Sequence, residues 1–222
     1  ARTPRLPVLG LAPSFDGAGP WVPSAPPAGP TDDAKVRLVS FWTYSCINCL
    51  RTLPTLRAWS EHHAARGLAV VGVHTPEFAF ERDPGHVARA VRELQIPYPV
   101  VQDNDYRLWR AFGNRYWPAL YLVDRQGRIR HRQFGEDGLA ATEAAIERLL
   151  SEAGAFPALP ERTLPVDTSG LGLPAALATL RSPELYLGPA QARGFVSAGG
   201  LQADRSTAYA GGTPRLNQWV LS

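Results

Sequence analysis

The chain has 222 residues, 45% hydrophobic and 19% charged, with a formal net charge of +3 and a pI near 9.1. This is the composition of a soluble globular protein: no apolar run reaches the ~20 residues that a membrane-spanning helix needs, and nothing at Ala1 reads as a signal peptide. The arginines are scattered rather than gathered into the basic patch that a nucleic-acid partner requires, and the absence of any methionine points to a processed or excised piece.

Since about 150 residues make one domain, the length predicts one domain plus a tail or second unit. Residues 1–35 are rich in Pro, Gly and Ala, with Val8 to Pro13 and Trp21-Val22 as their few apolar anchors, and read as an irregular wrap or a short hairpin. An apolar strand pattern covers 36–42 and a helical pattern 46–65, with Leu50, Leu53, Leu56 and Trp59 on one face until Gly67 stops it. Pro54 falls inside that helix, removes one backbone hydrogen bond and should kink it. The pattern continues with strand 68–74, helix 84–95, strand 99–102, a short helix 105–111, strands 119–124 and 128–134, and helix 138–152. Asp83 caps the second helix with Pro84 at its first position, and Val87, Val91 and Leu94 line its buried face. Gln126-Gly127 turns the last two strands into a hairpin, and Arg128-Ile129-Arg130-His131-Arg132 reads as the polar face of a strand. A βαβ opening, an inserted strand and helix, and a ββα ending make a redox domain at 36–153, an α/β three-layer sandwich with a central mixed sheet. A Pro-rich linker then covers 154–181, and short candidate strands at Leu185-Tyr186-Leu187-Gly188, Gly194-Phe195-Val196 and Gln218-Trp219-Val220-Leu221 make 182–222 a short β-rich segment, too small a core to be stable alone.

The two cysteines of the chain stand in one C-x-x-C, Trp42-Thr43-Tyr44-Ser45-Cys46-Ile47-Asn48-Cys49, between the first long strand and its helix. A thiolate, not a thiol, attacks a disulfide, and a sulfur in the first turn of a helix sits among unpaired N–H groups at the positive dipole end. Cys46 is therefore the expected nucleophile and Cys49 the resolving thiol. Zinc is a poor reading, because there is no second C-x-x-C and His62 and His63 lie about four turns down the helix. A structural bridge is equally poor, because so short a loop restrains the unfolded chain little. The expected redox group is the Cys46–Cys49 disulfide itself, with no metal and no organic cofactor.

At Leu6-Pro7, Leu11-Ala12-Pro13-Ser14-Phe15, Val39 to Cys49, Arg51-Thr52-Leu53-Pro54, Val71 to Phe78 and Tyr116 to Asp124, the sequence resembles the thioredoxin superfamily. Within it the likeness is to the extracytoplasmic TlpA/ResA-like branch, and especially to the soluble thioredoxin part of DipZ-type proteins, whose other part is a CcdA-like membrane domain. The resemblance implies that the Trp117-Pro118 bond is cis and faces the C-x-x-C, where Trp117, Pro118, Trp42, Ile47 and Asn48 would form the substrate groove. Trp117 departs from the small or β-branched residue of thioredoxin itself, and Ser40 stands where thioredoxin has a buried aspartate. In the ResA-like branch a glutamate after the next strand stands near the sulfurs. Glu77 matches that place and would exchange a proton with Cys49 as a partly buried carboxylate. Ser182 to Gly188 resembles the opening of the carbohydrate-binding-module-like β-sandwich that follows in DipZ-type proteins, so the chain would stop partway through it.

The expected function is an extracytoplasmic thiol-disulfide oxidoreductase that reduces protein disulfides with electrons from a CcdA-like membrane donor, as a soluble piece tethered to or processed from a membrane protein. A disulfide-forming oxidase is the first alternative. An envelope glycan- or partner-binding module, with Tyr186, Tyr209 and Trp219 as a sugar platform, is the second. A peroxidase fits less well: Thr43 and Cys46 suit the peroxiredoxin P-x-x-x-T-x-x-C pattern, but Val39 stands where its proline should be.

Overall fold

A computed structural model of the chain describes residues 5–22, 36–154, 166, 192–202, 206–215 and 218–220. Its strands are β1 (Gly10–Leu11), β2 (Trp21–Val22), β3 (Val36–Trp42), β4 (Leu68–His74), β5 (Val100–Gln102), β6 (Ala119–Val123) and β7 (Arg128–Phe134). Its helices are α1 (Ile47–His63), α2 (Pro84–Glu93), α3 (Arg107–Ala111) and α4 (Leu139–Glu152). The strands form one mixed seven-stranded sheet in the order β1-β7-β6-β3-β4-β5-β2, with β3, β4 and β5 parallel and every other pairing antiparallel.

All seven residues of β3 are buried, because both faces of the sheet are covered. Alternation along β3 sends Val36, Leu38 and Trp42 to one face, where they pack with Leu53, Leu56 and Trp59 of α1, Val87 and Val91 of α2, and Ile146, Leu149 and Leu150 of α4. Val39 and Phe41 point the other way, against Phe15, Leu108 and Phe112. The result is the thioredoxin-like α/β sandwich, with its second face closed by α3 and by the N-terminal segment. That segment is not a hairpin: β1 pairs with β7 and β2 with β5, at opposite ends of the sheet.

Element ends have local causes. Helix α1 runs through Pro54 and passes into a 3-10 turn, Ala64–Arg66, which Gly67 closes with φ 94°, a value that glycine adopts without steric cost. Asp83 accepts the N–H of His86 at 3.0 Å to start α2. Helix α3 begins two residues later than its pattern suggests, because Tyr106 is left-handed at φ 57° and the Asp103 carboxylate caps Leu108 and Trp109 at 2.9 and 2.8 Å.

The expected polar face at 128–132 needs correction at Arg130. The β6–β7 register shifts between Leu122 and Val123, so that His131 faces Leu122 while Ile129 faces Val123. This bulge turns Arg130 inward. It is 4% exposed, pairs with Asp124 at 2.9 Å and Glu152 at 3.3 Å, and donates to the Leu6 carbonyl at 2.6 Å.

By contact the chain separates into a unit spanning 1–172 and another spanning 173–222. In the second, Phe195 and Trp219 form a parallel bridge with rings 4.7 Å apart, and Tyr209 meets Phe195 edge-on at 5.3 Å. The expected strand at 185–188, with Tyr186, lies outside the described residues. Among those residues no helix is long and apolar enough to cross a membrane.

Candidate active site

The C-x-x-C lies where β3 hands over to α1, at the carboxyl end of the parallel strands. Cys46 is the N-cap of α1, with an extended backbone at φ −76°. Its sulfur accepts the Cys49 N–H at 3.4 Å and its carbonyl accepts the Leu50 N–H at 3.0 Å. The neighbouring Cys49 thiol, with the amides of Cys49 and Asn48, draws the Cys46 pKa down to about 7, against opposition from burial and the Glu77 carboxylate. Cys49 is 0% exposed, and burial, then the hydrogen bond to Cys46 and the charge on it, holds its thiol far above the ordinary cysteine range.

With both cysteines as free thiols, the two halves of the pair are sharply different. Cys46 is half-buried and ionises near neutrality, while Cys49 keeps its proton for as long as Cys46 is charged. Once Cys46 is spent in a mixed disulfide, its charge no longer opposes ionisation of Cys49. The order of attack is thereby built into the electrostatics.

Trp117-Pro118 is a cis bond. Pro118 is buried and Trp117 half-buried. The Trp117 indole N–H donates to the Thr75 carbonyl at 3.0 Å, and its ring lies 4.1 Å from that of Trp109. Ile47 is 49% exposed. Asn48 is also exposed, and its Oδ1 accepts from Arg51 at 3.4 Å. Trp42, expected in the groove, is not there. It is 1% exposed because strand parity points it into the core beneath the motif, edge-on to His74 at 5.3 Å.

Glu77 also needs correction. It lies on the exposed side of the 75–83 loop rather than partly buried, though desolvation and then the charge of Glu81 still raise its pKa. The fully buried acid is Glu81, 0% exposed, which sequence reasoning missed. Its Oε1 accepts from Ser45 Oγ at 2.5 Å, and its Oε2 accepts the N–H groups of Glu77 and Phe78 at 2.6 and 2.8 Å. The only hint in the sequence is an acid closing the apolar stretch Phe78-Ala79-Phe80. Thr43 Oγ1 lies 3.2 Å from His74 Nε2, and burial lowers the His74 pKa to about 4, so the ring is neutral.

Two thiols of opposite character in one helical turn make a two-electron couple, and on this sheet they define a thioredoxin-like thiol-disulfide oxidoreductase. The AhpC/TSA family model matches residues 31–132. Protein DipZ of Mycobacterium tuberculosis is 42% identical over 188 residues, 83% of this chain, and the chain spans 26% of the length of that relative. Thiol-disulfide oxidoreductase YkuV of Bacillus subtilis is 35% identical over 118 residues, 53% of this chain and 79% of that protein. Among solved structures, a thioredoxin-like protein in its oxidised form superposes with a TM-score of 0.57 at 30% identity, over 64% of this chain and 96% of that one. The chain belongs to the thioredoxin-like thiol-disulfide oxidoreductases, among the TlpA/ResA-like thiol-disulfide interchange proteins.

Proposed function

We propose that the protein works outside the cytoplasm as a reductant of protein disulfides, recharged by a CcdA-like membrane donor. The direction is supported by the setting of Cys46, the N-cap of α1, whose sulfur accepts the Cys49 N–H and whose pKa the Cys49 thiol and the helix amides bring down only to about 7. Thioredoxin, a reductant, has a nucleophile near 7, whereas the oxidant DsbA sits near 3.5, its very stable thiolate favouring the dithiol form. The likeness to DipZ supports the compartment and the donor.

Cys46 thiolate attacks a substrate disulfide, forming the Cys46–substrate bond and releasing one substrate thiolate, which takes a proton from water. Cys49 then gives its proton to Glu77 and attacks Cys46 Sγ. The Cys46–Cys49 disulfide forms, and the second substrate thiolate leaves and takes up the proton held by Glu77. Two electrons pass to the substrate, and no metal or organic cofactor takes part. Trp117 and Pro118, with Ile47 and Asn48 opposite, flank an extended substrate segment. Trp42 supports this groove from below.

The test is the reduction potential of the Cys46/Cys49 pair in glutathione or dithiothreitol buffers, with Cys46→Ser as control. A value below about −220 mV supports the reductant, and one near −120 mV makes the protein an oxidase. Removal of residues 155–222 is expected to leave this exchange intact. Loss of glycan binding on that deletion would add a binding role for the tail, which is a separate question from the redox chemistry.

A further inference from the structure

Glu81 is a buried carboxylate whose hydrogen bonds come from neutral groups. Besides Ser45 and the two backbone amides, the Thr43 hydroxyl also reaches it, and these bonds outweigh desolvation to hold its pKa below the usual carboxylate range. A buried anion is costly unless every lone pair is engaged. Here the donors come from two separate loops. Ser45 immediately precedes Cys46, and the amides belong to the peptides that carry Glu77 and Phe78. Thr43 Oγ1 also lies 3.2 Å from His74 Nε2, and His74 Nδ1 has no partner among the described residues.

We propose that Glu81 is a positioning residue for disulfide exchange, its buried carboxylate tying the peptide of Glu77 to the residue ahead of Cys46 so that the Glu77 carboxyl and both sulfurs move as one body. This rests on the reading of Cys46 and Cys49 as the exchanging pair and of Glu77 as proton acceptor for Cys49. The step affected is the second one: the Cys49 S–H proton moves to Glu77, the Cys46–Cys49 bond forms, and the Cys46–substrate bond breaks. A one-ångström misplacement of a reacting group lowers a rate by up to about 100-fold.

The titratable groups around the two acids are Tyr44, His74, Tyr106, Cys46 and Cys49, with Arg82, Asp83, Arg89 and Asp103 in the surrounding field. Tyr44 and Tyr106 are raised and His74 is lowered, so all three stay neutral near pH 7. The charge of Glu81 also raises Glu77, so neutralising it should move the Glu77 step in the pH profile to lower pH.

The experiment is single-turnover closure of a Cys46 mixed disulfide, read against pH in the full chain, for Glu77→Gln, Glu81→Gln and the double variant. Glu81→Gln is expected to slow closure roughly 10- to 100-fold and to lower the pH of the step, while adding no further loss in the Glu77→Gln background. Equal losses from Glu81→Gln in both backgrounds, or an unshifted step, overturn the proposal. Ser45→Ala, which cuts the tie from its other end, gives the same answer if Glu81→Gln does not fold: unchanged closure overturns the proposal and slowed closure supports it. Because closure is read independently of the direction of exchange, an oxidase-like potential would sink the reductant reading without touching this one. Closure that persists in Glu77→Gln at the full rate would instead remove the role of Glu77.

Discussion

Replacing Cys49 with alanine removes the largest single influence holding the Cys46 thiol down to about 7. If the pKa returned fully to its ordinary value of 9.0, the ionised fraction at pH 7 would fall about 50-fold. A thiolate of higher pKa is a better nucleophile, by roughly eightfold over two units at a Brønsted slope of 0.4–0.5. The net result is alkylation of Cys46 by iodoacetamide about sixfold slower at pH 7. At pH 10 the order reverses, because both thiols are then ionised and that of the variant is the more nucleophilic. The amides of Cys49 and Asn48 remain in the variant, so the figures are upper limits, but the crossing of the two pH–rate curves is not affected by that. Thiolate absorbance at 240 nm gives the midpoint independently. A Cys49→Ala protein whose midpoint stays at about 7 would show that the helix amides alone hold the thiolate, and the account of the paired thiols would be wrong.

Trp117→Ala removes the bond to the Thr75 carbonyl and the packing on Trp109; KM for a protein disulfide should rise severalfold while alkylation of Cys46 stays unchanged, and a rise in KM accompanied by slower alkylation would place Trp117 in support of the sulfur instead. Gly72→Ala puts a methyl 3.0 Å from both Trp42 Nε1 and Val100 Cγ2 and should cost about 1–3 kcal/mol in urea unfolding, so a neutral result refutes the close packing under the motif. Arg130→Met removes one of the two arginines on the buried Asp124 carboxylate, Arg128 remaining at 2.8 Å, and frees the Leu6 carbonyl, with an expected loss of about 1–3 kcal/mol and proteolysis beginning near residue 6. His63 and His74 are both lowered to about 4 by burial, so between the unfolded value of 6.5 and 4 the unfolded chain binds more protons. Stability is then lost as pH falls through that window, by on the order of 3 kcal/mol for each, and a thermal midpoint that stays level from pH 6.5 to 5 would contradict their neutral burial.

Long periodic elements were legible because their patterns are local: Leu53, Leu56 and Trp59 repeat on one helix face, and five of the seven residues of β3 are apolar. The sulfur pair was legible because both cysteines fall in one motif. Trp42 was misplaced although strand parity, counted from Leu38, puts it on the same face as the core under α1. Arg130 was hidden by a bulge, which inverts parity without leaving a mark in the residues. Glu81 was hidden because its partner Ser45 lies 36 positions earlier, and only the pairing of β3 with β4 brings the two loops together. Strands β1 and β2 have two residues each, too few for any period to appear.

Those two short strands have a consequence for self-association. Rows of unpaired amides at a sheet margin invite another chain to add a strand. Here one stretch, residues 5–22, supplies the outermost strand on both sides, β1 against β7 and β2 against β5, with Phe15 buried between them. Release of that stretch would bare both margins at once, giving each molecule two complementary sticky sides and allowing end-to-end chains rather than a closed pair. The Arg130 guanidinium, which donates a hydrogen bond to the Leu6 carbonyl, therefore helps to keep the β7 margin covered.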